Sequence, residues 1–309
     1  MALRKWLGLC MALLSLPVLA QQGNIGSIGQ DPAATVLIPH FEVNPTDVGG
    51  RNTIVTLQNT SATAMLVNTT LWTDYGVPTA HFLIYLTGYD QETINLYDVF
   101  QRYTPRTASA GQDPTDTISP KGDLSQDINF ASCTGLLPDA QTGLVDTSLV
   151  QAHTGGPSLE YFGGLCGSRN YGDGIARGYI TMDTVNNCTP RVPGDPGYFA
   201  GDITFQNVLA ADYTLIDPAS GRRSTQTAVH VESVYPGSSG PGADLVNDVA
   251  DRTFYSRVKG GENDYRESLP TAFAGRTLGG QTSVEYWRDP GSVVAPFTCG
   301  NTPAPYPLP

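Results

Sequence analysis

The chain has 309 residues, in which 29 acidic side chains outnumber 17 lysines and arginines. The net charge of −12 argues against binding to nucleic acid or to an anionic membrane surface, because both need a basic contact surface. Charged residues make up only 15% of the sequence while glycine and proline are abundant, a composition that favours short strands joined by many turns.

Residues 1–20 have the pattern of a signal peptide. Arg4 and Lys5 provide a positive start, the apolar run Trp6–Leu19 follows, and the small residue Ala20 ends a cleavage site. The run of about 14 residues is short for a membrane anchor, which needs roughly 20. No second run approaches that length, so we expect a periplasmic or extracellular protein without a membrane span after cleavage.

The first half of the mature chain is dense in predicted strands. Residues 21–31 are rich in glycine and glutamine and are expected to be flexible. Alternating or continuous apolar runs then predict four strands: Thr35–Phe41, Thr53–Asn59, Met65–Asp74 and His81–Leu86. A short polar turn separates the second strand from the third, which predicts a hairpin. After Gly88, a short helical segment is expected with Asp90 as its N-cap.

A long polar loop at 104–126 leads into the second half. Leu144–His153 is predicted to be a helix that ends at Gly155, with Leu144, Val145, Leu149 and Ala152 toward the core. Further strands are predicted at Gly178–Thr184, Ile203–Asp217, Thr225–Tyr235, Thr253–Val258, Thr271–Leu278 and Gln281–Arg288. The second and third of these should form another hairpin. Asp244–Asp251 is expected to be a short helix, and the proline-rich tail 303–309 cannot pair inside a sheet.

These elements predict a mainly β fold, an antiparallel β-sandwich-like arrangement with one or two short helices and long loops. About four strands precede the loop at 104–126, whereas a closed sandwich needs around seven. Four strands alone would leave an apolar face and open edges exposed. We therefore expect residues 32–302 to form a single composite domain.

The cysteines predict two disulfides. Loss of Cys10 with the signal peptide leaves Cys133, Cys166, Cys188 and Cys299, and an even number in an exported chain is typical of a disulfide framework. Of the three possible pairings, Cys133–Cys166 with Cys188–Cys299 is favoured, because the first closes a local loop and the second ties down the C-terminal tail. A zinc site would need closely spaced ligands, which the sequence lacks.

Catalytic patterns are weak. The Gly-x-Ser-x-Gly nucleophile elbow is absent. His230 and Glu232 would point to the same side of an extended strand and could form a general-base or metal site, although a solvent-facing polar edge explains them more simply. His40 and His81 lie within apolar runs and are expected to be packed or edge residues.

Carboxylates and aromatic side chains leave further alternatives open. Asp74, Asp183 and Asp212 could supply the carboxylate pair of a glycoside hydrolase, but solvated strand faces and turns explain them as well. The acidic residues are mostly aspartates, so a structural calcium ion is an additional hypothesis. Four aromatic residues on or near strands could stack on sugars, although core packing is the more common use: Trp72, Tyr75, Tyr286 and Trp287.

Five stretches of the chain resemble a group of exported, functionally uncharacterised β-rich proteins of Gram-negative bacteria. These stretches are Leu37–Phe41, Val67–Val77, Tyr85–Phe100, Ala176–Thr189 and Ala295–Tyr306. The resemblance touches both halves of the chain and implies export and β-structure. It implies no catalytic, cofactor-binding or metal-binding residue.

The sequence therefore favours an exported, non-enzymatic binding or surface-structural protein with a protein or carbohydrate partner. The alternative is a secreted hydrolase that acts on a polysaccharide or an ester. A deep cleft with converging carboxylates, or with His230 beside Glu232, would favour the hydrolase.

Overall fold

The computed structural model describes residues 31–102, 144–233, 254–255, 258–259, 262, 264–266, 271–278, 281–288 and 295–301. Several sequence predictions lie outside these residues. They are the signal peptide at 1–20, nearly all of the segment 21–31, the loop at 104–126, the helix Asp244–Asp251 and the tail 303–309.

Short strands and three short helices make up the described fold. The elements before residue 103 are β1 (Thr35–Val43), β2 (Asn52–Asn59), β3 (Met65–Thr73), β4 (Pro78–Leu86), β5 (Gln91–Asn95) and α1 (Leu96–Phe100). The later ones are α2 (Thr147–Thr154), α3 (Leu159–Phe162), β6 (Ala176–Val185), β7 (Leu209–Asp217), β8 (Arg222–Thr227), β9 (Val229–Val231), β10 (Thr271–Leu278) and β11 (Gln281–Arg288). A π-helical turn at Tyr198–Asp202 follows β6.

Two antiparallel sheets confirm the predicted fold class. The five-stranded sheet has the order β4-β3-β6-β1-β9, and the four-stranded sheet has the order β5-β2-β7-β8. The hairpin β10–β11 lies beside β1 and β8. Each large sheet combines strands from before and after residues 103–143, so long-range pairings hold both sheets together.

The hairpin predicted between β2 and β3 is wrong, since the two strands belong to different sheets. The turn between them instead crosses from one sheet to the other. The Asn59 side chain holds this crossing by donating to the carbonyls of Thr63 and Thr87, at 2.7 and 2.9 Å. The other predicted hairpin is confirmed: β7 pairs with β8, although β8 ends at Thr227 rather than Tyr235.

Apolar side chains bury both faces of the five-stranded sheet. Its inner face packs against the four-stranded sheet through residues such as Ile38, Ile180 and Leu215. Its outer face is covered by a second cluster that includes Tyr198 and Tyr255. This double coverage explains why β1, β3 and β6 are buried along their whole length. Each fully buried aliphatic or aromatic side chain contributes roughly 1.5–3 kcal/mol.

The helices begin later than the sequence predicted. The Asp146 carboxylate accepts the Leu149 amide at 2.9 Å and so begins α2 at Thr147, which leaves Leu144 70% exposed. The predicted end is confirmed, because Gly155 adopts the left-handed conformation with φ of 80°. Asp90 does not cap α1: the segment after it forms β5, and Asn95 is the N-cap.

The favoured disulfide pairing is also wrong. The structure joins Cys166 to Cys299 across 133 residues, and Cys188 is bonded in a second disulfide. The segments around the first bond are aligned by backbone hydrogen bonds in both directions between Cys166 and Phe297, at 2.9 and 2.8 Å. The sequence argument gave weight to short local loops, whereas strand-like pairing of distant segments brings these cysteines together.

Within the described ranges, each helix is too short or too polar to cross a bilayer.

Candidate functional site

Three connections meet at one end of the sandwich and line an open pocket of about 590 Å³. They are the β1–β2 loop, the turn between β7 and β8, and the segment that leads into β6. Antiparallel strands place these connections at the same edge, because β1 and β7 end where β2, β6 and β8 begin. The polar side chains that line the pocket are those of Asn44, Asp47, Arg51, Asp173 and Asp217.

The β1–β2 loop is held by its own polar groups. Asn44 accepts the backbone N–H of Thr46 at 3.2 Å, and Asp47 accepts that of Gly49 at 2.9 Å. Gly50 packs so tightly that a Cβ atom there would lie 2.7 Å from the Cβ of Asn44. The loop therefore presents a fixed wall to the pocket.

Charged side chains form a continuous network behind that wall. Glu42 is buried and accepts from Arg177 at 3.0 Å and from Arg51 at 3.3 Å. Arg51 also lies 3.7 Å from the Asp217 carboxylate. Arg177 donates to both oxygens of Asp173, at 2.9 and 2.6 Å. Two guanidinium groups are thus shared among three carboxylates, which leaves the network with a net negative charge.

The Asp173 carboxylate keeps its charge at the mouth of the pocket. Its side chain is 42% exposed, and the hydrogen bonds from Arg177 lower its pKa below the ordinary value. Asp47 adds a further exposed carboxylate on the opposite loop. The pocket is therefore suited to a ligand with a positive group, which negative walls attract.

A buried carboxyl group lies behind the segment that carries Asp173. Asp74 accepts the backbone N–H of Arg169 at 3.1 Å and the hydroxyl of Tyr171 at 3.3 Å. Burial raises the pKa of this carboxyl from 3.8 to about 6, although both hydrogen bonds favour its charged form. Asp74 therefore holds the segment in place. The sequence had suggested a solvated strand end at this position, and that interpretation is wrong.

A second polar cluster lies under the outer face of the five-stranded sheet. Asp183 accepts the hydroxyls of Tyr198 and Tyr255, each at 2.6 Å, and that of Thr35 at 2.5 Å. The guanidinium of Arg266 lies 3.5 Å from Asp183, and both side chains are fully buried. Burial and the neighbouring carboxylate raise the pKa of both tyrosines well above the usual value.

The prediction of a solvated Asp183 is wrong, whereas Asp212 is exposed as expected.

His230 is buried rather than on a solvent-facing edge, and Glu232 directly follows the end of β9. The Nδ1 of His230 lies 2.7 Å from the Asp31 carbonyl, and its Nε2 accepts the backbone N–H of Ala211 at 3.3 Å. Backbone groups therefore occupy both ring nitrogens. Burial and the nearby Asp31 carboxylate raise the pKa of Glu232, and the neighbouring His230 opposes this shift.

The remaining histidines have packing roles. His40 is buried, 3.8 Å from Glu42, and His81 lies half-buried on the edge strand β4. His153 is fully enclosed between the Thr79 hydroxyl at 2.8 Å and the Arg177 carbonyl at 2.9 Å. Burial lowers the pKa of His153 to about 4, so this ring is neutral near pH 7.

The calcium and sugar-stacking hypotheses gain no support from the described part of the chain. No three histidine, cysteine, aspartate or glutamate side chains there are grouped to hold a metal ion. Trp72 is buried and stacks on Tyr179 with ring centroids 5.7 Å apart, and Tyr75 packs edge-on against Phe297. Tyr286 and Trp287 lie on β11.

Sequence reasoning missed the pocket. One signal was available: Glu42 is the only acidic residue in the apolar stretch TVLIPHFEV and is buried there, which calls for a charged partner. The partner, Arg177, lies 135 positions away. The sequence could therefore indicate that Glu42 needs a charged partner, but not which residue supplies it. No protein-family model, curated protein or solved structure matches the chain.

Proposed function

We propose that the chain is an exported binding protein that takes up the ammonium group of a ligand in the pocket between the β1–β2 loop, the β7–β8 turn and Asp173. The observation that carries this proposal is the net negative pocket wall, fixed by the Glu42–Arg177–Asp173 network. The volume of about 590 Å³ falls in the range of small-ligand sites. Export rests on the signal-peptide pattern at residues 1–20 and is consistent with the disulfide.

The connections that form the pocket support a binding role for a physical reason. Loops on a rigid sheet can present polar groups without disturbing the core that holds them. Here the exposed carboxylates of Asp47 and Asp173 lie on loops, whereas Glu42 and Arg177 lie on strands of the five-stranded sheet. A cationic ligand would meet preorganised groups and would lose little entropy in ordering them.

Two sources of an ammonium group are distinguished by the choice of probe. A lysine tripeptide represents a protein partner, and a glucosamine trimer represents a carbohydrate partner. Each has a matched uncharged form, the acetyl-lysine tripeptide and the N-acetylglucosamine trimer. We expect one charged probe to shift the backbone amide resonances of Gly49 and Gly50 in ¹⁵N NMR spectra, and its acetylated form to leave them unchanged.

Substitution of Asp47 by asparagine tests the site itself. Asparagine keeps the side-chain oxygen that accepts the Gly49 amide and removes only the charge. We expect roughly two- to fivefold weaker binding of the charged probe, as loss of one exposed charge contact predicts. Asp212→Asn is the matched control, since Asp212 is exposed on β7 away from the pocket. Equal effects of the two variants, or shifts spread over the whole acidic surface, would count against the pocket.

The hydrolase alternative is tested with the same samples. Prolonged incubation with the glucosamine trimer should yield no shorter oligomers by mass spectrometry, and p-nitrophenyl acetate should be cleaved no faster than by heat-denatured protein. Turnover abolished by a single carboxylate substitution would replace the binding proposal with the hydrolase.

A further inference from the structure

We infer that Asp74 is a pH-sensitive latch that holds one wall of the pocket in place and loosens it as the pH rises. The functional role of the latch rests on the proposed function, because the wall that it holds belongs to the proposed ligand pocket. The inference stands on the geometry of the segment between Cys166 and β6.

This segment is fixed at both ends and exposed between them. Cys166 is bonded to Cys299 at one end, and β6 begins at Ala176 at the other. All six residues at 169–174 are exposed. Gly172 and Gly174 have positive φ angles, and a Cβ atom at either would meet nothing within 4 Å. Residues 172–174 therefore have open surroundings, whereas the Asn170 backbone packs closely against Gly155, where an added Cβ atom would lie 2.3 Å from the Asn170 nitrogen.

Asp74 is the buried group that this exposed stretch contacts. Its carboxylate receives the Arg169 backbone N–H and the Tyr171 hydroxyl, while only 6% of the residue is exposed. Asp74 lies in the short turn that joins β3 to β4, two paired strands of the five-stranded sheet. The exposed segment is thus attached to the sheet at this point.

A chain of contacts joins the latch to the pocket. The guanidinium of Arg177 lies over the Tyr171 ring, 4.5 Å from its centroid, and that of Arg169 lies 5.1 Å from it. Arg177 in turn binds both oxygens of Asp173, which lines the pocket. Release of Tyr171 from Asp74 would therefore remove the ring that packs against the Arg177 guanidinium, the group that binds Asp173.

The direction of the pH effect follows from burial. The charged groups facing the Asp74 carboxyl are Arg169 of the segment and Arg177 of β6, with Tyr171 as donor and Tyr75 on its own turn. Burial outweighs them and raises the pKa of Asp74 from 3.8 to about 6. A raised carboxyl pKa stabilises the closed state fully below the ordinary value, and this stabilisation is lost as the pH rises through the folded value. The open population should grow by up to roughly 100-fold between pH 4 and pH 7.

Amide hydrogen exchange of the full mature protein tests the latch without any ligand. After correction for intrinsic exchange rates, protection of the Arg169 amide should fall by up to roughly 100-fold from pH 4 to pH 7. Asp74→Asn keeps an acceptor oxygen and removes the titration, so its Arg169 protection should be independent of pH. Asp212→Asn should retain the wild-type dependence. Constant protection in the wild-type protein, or a pH dependence that survives Asp74→Asn, would overturn the inference.

A second measurement on the wild-type protein covers the case in which Asp74→Asn does not fold. The side-chain carboxyl resonance of Asp74 in ¹³C spectra should titrate near pH 6, and the Arg169 amide should titrate with the same midpoint. Different midpoints would refute the latch. Failure of every cationic probe to bind would leave these results intact and remove only the proposed function.

Discussion

Replacement of Asp183 by asparagine should lower the free energy of unfolding by about 3–5 kcal/mol, the usual cost of breaking a buried ion pair from one side. The carboxylate accepts three hydroxyl groups, from Thr35, Tyr198 and Tyr255, and it neutralises Arg266. Asparagine offers one oxygen in place of two and no charge. The guanidinium of Arg266 would then remain buried with less compensation, and Asp264 would be its remaining carboxylate.

Urea denaturation at pH 7 measures this effect, provided that the slope is unchanged between variants. Asp212→Asn is the control, because the same chemical change on an exposed strand face should alter stability by less than about 0.5 kcal/mol. Combining Asp183→Asn with Arg266→Met should cost less than the sum of the single changes, since the second removes the unpaired charge. Additive losses would mean that the two residues do not act as a pair.

The cluster also shows where sequence reasoning stopped. Asp183 alternates with apolar neighbours on β6, a pattern that predicts one buried and one solvated face. That logic holds for a sheet covered on one side, and it failed here because a second apolar layer covers the outer face. Part of that layer comes from residues after 250, which no local pattern on β6 could indicate.

The positions of several strands were predicted well, whereas their pairings were not. β10 and β11 match the predicted strands residue for residue, because alternation and turn residues are encoded within the segment. The partners of β2 are β5 and β7, and the latter lies more than 140 residues later. The choice among strands depends on which faces are buried in the final packing, and that information is spread over the whole chain.

The candidate site has the same character. Residues 44–50 form the loop on one side of the pocket, but the pocket also needs Asp173 and Asp217, which the sheet topology brings to them. Sequence attention to histidines and to the His230–Glu232 spacing led away from this end of the sandwich. A carboxylate inside an otherwise apolar strand, such as Glu42, would have been a better guide, because a buried charge requires a partner at a specific place.

Loss of the disulfide between Cys166 and Cys299 should lower the free energy of unfolding by about 4–5 kcal/mol, as chain entropy predicts for so long a loop. The bond closes 133 residues of sequence, which is a strong constraint on the unfolded chain. The double variant Cys166→Ser/Cys299→Ser is preferred to either single one, because it leaves no free thiol to exchange with the disulfide of Cys188. The second crosslink will reduce the loss where the two loops overlap.

Peptide mapping without reduction checks the pairing itself and should recover a Cys166–Cys299 peptide. Of the three pairings of Cys133, Cys166, Cys188 and Cys299, only the one that joins Cys133 to Cys188 is compatible with that bond. Recovery of a Cys133–Cys166 peptide would contradict the structure.

The same serine variant bears on the latch, because Cys166 anchors one end of the exposed segment. If Asp74 and this disulfide hold the segment jointly, the serine variant should lose protection of the Arg169 amide even at pH 4. In the wild-type protein the latch is closed at that pH, so the loss would come from the missing disulfide.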